Sequence, residues 1–181
     1  MATVPPLIIT LGISPDAASY FTELRNIHYP AHANLLNAHL TLFHRLPSDE
    51  KEIHSILSAA VMQQAMELAV TGIVLWKKGV AFTIDSPQLQ EFHSGLQHAL
   101  EKWTCAKDQK PLKPHITIQN KVTAFKASLT HKKLAAGFVP FTILATGLDC
   151  FHFSKGKWER IAFYPFGETA HKKTGSFLPA P

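Results

Sequence analysis

Two rhythms of apolar and polar positions alternate along the chain, and each change of rhythm marks an element. Leu7-Ile8-Ile9-Thr10-Leu11-Gly12-Ile13 is a nearly continuous apolar run suited to a buried strand. Ser14-Pro15 follows, a serine where a helix N-cap belongs and a proline whose ring fixes φ at the first helical position. Ala17, Tyr20, Phe21, Leu24 and Ile27 then recur at three- and four-residue intervals, which predicts an amphipathic helix over 16–27. A loop through Tyr29-Pro30 leads to a second predicted strand over 38–43, and Pro47-Ser48-Asp49-Glu50 opens a helix expected to reach about Met66. Leu68 to Trp76, the turn Lys77-Lys78-Gly79 and Val80 to Asp85 read as a β-hairpin.

The pattern then begins again. Ser86-Pro87 starts a helix with Leu89, Phe92, Leu96, Leu100 and Trp103 on one face, and a polar loop with Pro111 and Pro114 leads to the strand His115-Ile116-Thr117-Ile118. A further helix over about 124–135 precedes two or three strands between Val139 and Phe166. Each half reads strand, Ser-Pro start, helix, loop, strand, helix, which is a repeat of elements without a repeat of sequence. This succession predicts a bilobal α+β protein of two related antiparallel sheets, a single domain over 1–166. Residues 167–181 lack periodicity and are expected to form a loosely held tail.

The repeated strand carries the chemistry: His39-Leu40-Thr41-Leu42 in the first half and His115-Ile116-Thr117-Ile118 in the second. Residues i and i+2 of a strand share a face, so each histidine points with its threonine while the aliphatic residues point into a core. If the two halves face one another, two His-Thr pairs line one groove. One imidazole can then accept a proton while the other, protonated, donates one, and the hydroxyls can hold non-bridging phosphate oxygens. Strand parity also puts Phe43 and Gln119 on the motif faces, where Phe43 is a candidate contact for a base or ribose. Lys113 stands beside the second motif as a candidate attractant for phosphate, and Trp158 and Arg160 mix aromatic and basic character in a way that suits single-stranded RNA. His44 is five residues from His39 and on the opposite face by parity, which argues against a shared metal site. His93 and His98 are expected on the surface of their helix.

Composition narrows the class. The 181 residues are 46% hydrophobic and 17% charged, a globular composition with no apolar run long enough to span a bilayer. Two cysteines, Cys105 and Cys150, form no CxxC, so a disulfide framework and a thiolate zinc site are not expected, and a reducing cytoplasm is the default location. The net charge of +5 is uneven: residues 1–75 hold three Lys/Arg against six acids, and residues 76–181 hold fifteen against seven. The basic excess surrounds the second His-x-Thr strand, which suits an anionic partner.

Two H-x-T-[LI] strands, each following a strand and a helix, resemble the 2H phosphoesterase superfamily. Asn37-Ala38-His39-Leu40-Thr41-Leu42-Phe43-His44-Arg45-Leu46-Pro47 is similar to the first motif of its bacterial branch, the 2′-5′ RNA ligase family, and Lys113-Pro114-His115-Ile116-Thr117-Ile118 to the second. The resemblance implies a pseudo-symmetric bilobal fold around a central cleft. It also implies His39 and His115 as acid and base, with Thr41 and Thr117 as phosphate binders. The implied substrates are 2′,3′-cyclic phosphates, 2′-5′ linkages or RNA ends. A monomer that needs no metal, cofactor or obligate protein partner is expected. No Walker-type loop or nucleotidyl-transfer lysine motif is present, so ATP-driven ligation is not expected. The competing expectation is an RNA- or nucleotide-binding protein that uses the same cleft without turnover.

Overall fold

A computed structural model describes residues 5–167; the predicted tail, save Gly167, lies outside the described residues. The element order is β1 (Leu7–Ile13), α1 (Pro15–His28), a 3-10 turn (Ala31–Ala33), β2 (Leu40–Leu46), α2 (Lys51–Ala60), β3 (Met66–Trp76), β4 (Gly79–Asp85), α3 (Pro87–Ala99), β5 (His115–Gln119), α4 (Ala124–Ala136), β6 (Phe141–Ser154) and β7 (Lys157–Pro165). The α+β expectation holds, with every strand pair antiparallel.

The strands lie in the order β2-β1-β6-β3-β4-β5, with β7 paired to β6. This order maps onto itself when β2 exchanges with β5, β1 with β4 and β6 with β3, so the repeat read in the sequence is a pseudo-twofold in space. The two predicted sheets are halves of one hydrogen-bonded network joined through β6. The first part of β6 pairs with β3 (Val70↔Phe141 to Met66↔Ala145), and the rest pairs with β7 from Gly147↔Pro165 onward. Gly147 marks the handover. Its φ is +157°, and a Cβ there would stand 2.3 Å from the Tyr164 carbonyl oxygen, so only glycine fits.

Some boundaries differ from the sequence reading. α2 ends at Ala60, not near Met66, because Met66, Leu68 and Val70 alternate into the core as the start of β3. Two long strands, β6 and β7, fill the stretch where two or three were expected. Ser86 caps α3 by accepting from the Leu89 amide at 3.3 Å. Ser14 makes no such bond with its side chain, and its amide instead extends the sheet by donating to the Leu144 carbonyl.

The core brings the halves together. Phe21 of α1, Phe82 of β4 and Phe141 of β6 pack ring to ring, with Phe21 fully buried and 5.2 Å from Phe82. Although α1 follows β1, it packs on β5 of the opposite half, and the outermost strands β2 and β5 come into contact. The sheet is therefore curled until its two edges meet, and those edges carry the two motifs.

Candidate active site

His39 is the last residue before β2, and His115 is the first of β5. Each ring is held in the same way. His39 Nδ1 lies 2.8 Å from the Asn37 carbonyl oxygen, and His115 Nδ1 lies 2.7 Å from that of Lys113. A carbonyl only accepts, so Nδ1 carries the hydrogen and Nε2 of each neutral ring keeps its lone pair. The burial pattern also repeats. His39 and Thr41 are half-buried while Leu40, Leu42 and Phe43 are buried, and residues 115–119 follow the same pattern.

A second shared feature follows each threonine. Opposite β1, Thr10 pairs with Thr41 but Ile9 with Phe43, so Leu42 is an extra residue. Opposite β4, Ala81 pairs with Thr117 but Val80 with Gln119, so Ile118 is an extra residue. Both motif strands thus carry a β-bulge directly after the threonine, a device that re-aims side chains. An indole also lies against each imidazole. Trp76, at the end of β3, sits edge-on to His115 at 5.0 Å, and Trp158, at the start of β7, lies 5.8 Å from His39.

Comparison with known proteins decides the family. The family model of the 2′-5′ RNA ligase superfamily matches residues 13–157. The chain belongs to the 2′-5′ RNA ligase superfamily. Its fold is similar to that of Escherichia coli LigT, with a TM-score of 0.62 and 19% identity over 92% of this chain and 100% of that one. It is also similar to TT0787 of Thermus thermophilus, with a TM-score of 0.61 and 15% identity over 89% of this chain and 97% of that one. Among curated proteins, none matches at a significant level.

Within this superfamily member, His39 is the electrostatically distinctive group. Burial of its ring is the main cause that holds its pKa down at about 4. The hydrogen bond to the Asn37 carbonyl opposes that effect, while positive charge on Arg25, His115 and His44 adds to it. The two motif histidines stand at the start of the two edge strands that come into contact.

The other predicted residues are placed differently. Phe43 is fully buried and stacks on His93 at 4.9 Å, so it belongs to the core and not to a substrate surface. The bulge at Leu42 is the reason, because it breaks the strict alternation that put Phe43 beside His39. Gln119 is turned inward by the bulge at Ile118 and bonds Thr130 Oγ1 at 2.8 Å and the His28 carbonyl at 3.3 Å. Lys113 is exposed, and it is its backbone carbonyl that meets His115. His93 is buried on α3, not on the surface, with Nε2 3.2 Å from the Leu42 carbonyl oxygen.

Three features escape the sequence reading. Trp76 reads there only as a hairpin residue. Asp108 is buried and receives the His44 amide at 3.0 Å, His44 Nδ1 at 2.8 Å and the Cys105 thiol at 3.4 Å. Burial pushes the Asp108 carboxyl up, but those hydrogen bonds outweigh it and leave its pKa lowered. Arg25 of α1 is buried at 5% exposure between the halves. No spacing rule finds it, since an arginine in an amphipathic helix ordinarily faces solvent.

Proposed function

We propose that the chain is a metal-independent phosphodiesterase acting on 2′,3′-cyclic phosphates, 2′-5′ linkages or RNA ends by general acid-base catalysis. The observation that carries this reading is the matched pair of imidazoles. His39 and His115 are both tethered through Nδ1, both two residues from a half-buried threonine, and both at the junction of the two sheet edges. Superfamily membership supports phosphoesterase chemistry in general.

In hydrolysis of a 2′,3′-cyclic phosphate, His39 Nε2 takes a proton from water as the water oxygen bonds to phosphorus. His115 Nε2 gives its proton to the ribose oxygen as the P–O bond breaks. His39 takes the role of base in this scheme, and its lowered pKa supports that choice, because the ring is neutral before substrate arrives. An incoming phosphodiester anion then raises that pKa toward the working range and strengthens the base. Thr41 and Thr117 donate to the non-bridging oxygens and fix phosphorus between the rings. Trp76 and Trp158 offer aromatic surface for a nucleoside on either side. In keeping with a nucleotide substrate, crystal structures of E. coli LigT contain 3′-AMP, ATP and NADP+.

The test is turnover of 2′,3′-cyclic mononucleotides and 2′-5′ oligonucleotides in EDTA by wild type, His39→Ala and His115→Ala. Activity that survives chelation and disappears in both variants is the expected result. Tight RNA binding with no cleavage by wild type would make the protein a binding module instead, and activity lost on chelation would make it a metal enzyme.

A further inference from the structure

Arg25 is an unusual residue for the inside of a protein. Its guanidinium is buried, yet among the described residues it has no carboxylate partner. Its contacts are neutral. Nε donates to Asn34 Oδ1 at 2.7 Å, NH1 donates to the Thr117 carbonyl at 2.9 Å, and the Tyr29 ring lies 4.0 Å from the guanidinium carbon. Removing an arginine from water without an anion is costly, and two hydrogen bonds and one aromatic face offset that cost only in part. A buried cation of this kind marks a place where an anion is expected to arrive.

Its position says which anion. Through NH1, Arg25 reaches the backbone of the threonine in the second motif. It projects from the last turn of α1, the helix that packs across from the first half onto β5. It is thus, among the described residues, the one charged side chain hydrogen-bonded to the backbone of a motif threonine. We propose that Arg25 is a positioning residue of the two-histidine site: its guanidinium pins the Thr117 strand to α1 and supplies fixed positive charge behind the phosphate, so that the substrate's phosphodiester is its missing counter-ion. This assignment rests on the phosphodiesterase reading above and adds to it the source of the positive field.

Two consequences support it. The charge of Arg25 acts on His39 and helps to keep that ring neutral, as a proton acceptor must be. His115 from β5 and His44 from β2 are the other titratable neighbours that act on His39. Burial also lowers the pKa of Arg25 itself, but a guanidinium stays charged at any working pH. The charge is therefore fixed while the imidazoles titrate.

The experiment compares wild type with Arg25→Met and Arg25→Lys in the full chain. His39 is titrated through its imidazole NMR signals, inorganic phosphate binding is followed by the same signals, and KM and kcat are measured with a 2′,3′-cyclic mononucleotide. For Arg25→Met the His39 pKa is expected to rise by roughly half to one unit. Phosphate affinity should fall about 10-fold and kcat/KM about 10- to 100-fold, the range for a lost charged contact. Arg25→Lys keeps the charge but cannot reproduce the fork. It should leave the His39 pKa near wild type and hold KM, while kcat falls about 10-fold as β5 loses its anchor. If Arg25→Met does not fold, the KM-against-kcat split in Arg25→Lys decides. A folded Arg25→Met with lower thermal stability but unchanged His39 titration and phosphate affinity would make Arg25 merely structural and overturn the proposal. Wild type that binds phosphate but turns over nothing would defeat the phosphodiesterase reading alone, since the binding and titration results would still judge Arg25.

Discussion

Over residues 39–41 and 115–117 the two halves of the molecule coincide, and two positions later they part. Both histidines hand Nδ1–H to the carbonyl two residues back, and both threonines are followed by a bulge. Beyond the bulge, the first half buries Phe43 against the His93 ring, whereas the second buries Gln119 in hydrogen bonds to Thr130 and His28. In the proposed mechanism the junction tolerates little variation, because two imidazoles and two hydroxyls must meet one phosphate. The interior behind it only has to be filled and satisfied, and an aromatic ring or a bonded amide serves. The first half also carries a perturbed imidazole: burial, together with Arg25, His115 and His44, lowers the pKa of His39.

The largest effect should come from breaking the matched pair. His39→Ala and His115→Ala are each expected to lower kcat/KM by about 10²–10⁴-fold, the usual contribution of a positioned acid or base. The double variant should lose little more than the worse single one, because the two rings act as a unit. Full additivity in steady-state kinetics would mean that each histidine works alone. The next largest effect probes the divergent positions. Phe43→Ala empties a fully buried aromatic site and should cost about 3–5 kcal/mol in urea unfolding. If the loss were below about 1 kcal/mol, the half behind the first motif would be more plastic than its packing implies.

How far all this can be read from the sequence depends on which rule each feature obeys. The helices and strands follow apolar periodicity, and the His-x-Thr pairs stand out because a two-residue period survives up to the threonine. The same rule misplaces Phe43, since one extra residue, Leu42, turns the strand and no local signal announces a bulge among Leu, Leu and Phe. A histidine in an amphipathic helix usually belongs on the surface; the burial of His93 depends on the Phe43 ring of strand β2. Arg25, Trp76 and the Asp108 cluster share this property. Their partners lie 92, 39 and 64 residues away along the chain, so only the curled sheet brings them together.

A smaller effect concerns the perturbed imidazole of the first half. The His39 pKa in the folded protein, about 4, lies below its unfolded value near 6.5, so in that interval the unfolded chain binds more protons. Stability therefore rises with pH through the interval: it is fully present above the unfolded value and declines as pH falls toward 4. Because the ring is half-buried and reached by solvent, the expected loss between pH 7 and pH 4.5 is only about 1–2 kcal/mol. Urea midpoints at the two pH values should show it in wild type and lack that component in His39→Gln. The catalytic profile carries the same mark. If His39 is the base, the acid limb of kcat/KM falls near pH 4, and a limb well above that value would count against His39 in that role.

The smallest effect is expected where the second half replaces an aromatic ring with an amide. Gln119 Nε2 is bonded, but its Oε1 is buried and no described residue bonds it. Gln119→Met keeps the volume and removes two hydrogen bonds along with the unsatisfied oxygen, so gain and loss nearly cancel. Stability should change by less than about 1 kcal/mol in either direction, with kcat unaltered. A cost of several kcal/mol would show that the Thr130 and His28 bonds hold α4 and the end of α1 on β5. That result would tie Gln119 to the placement of Arg25, three residues before His28 on the same helix, and the interior behind the second motif would then be part of the site's support.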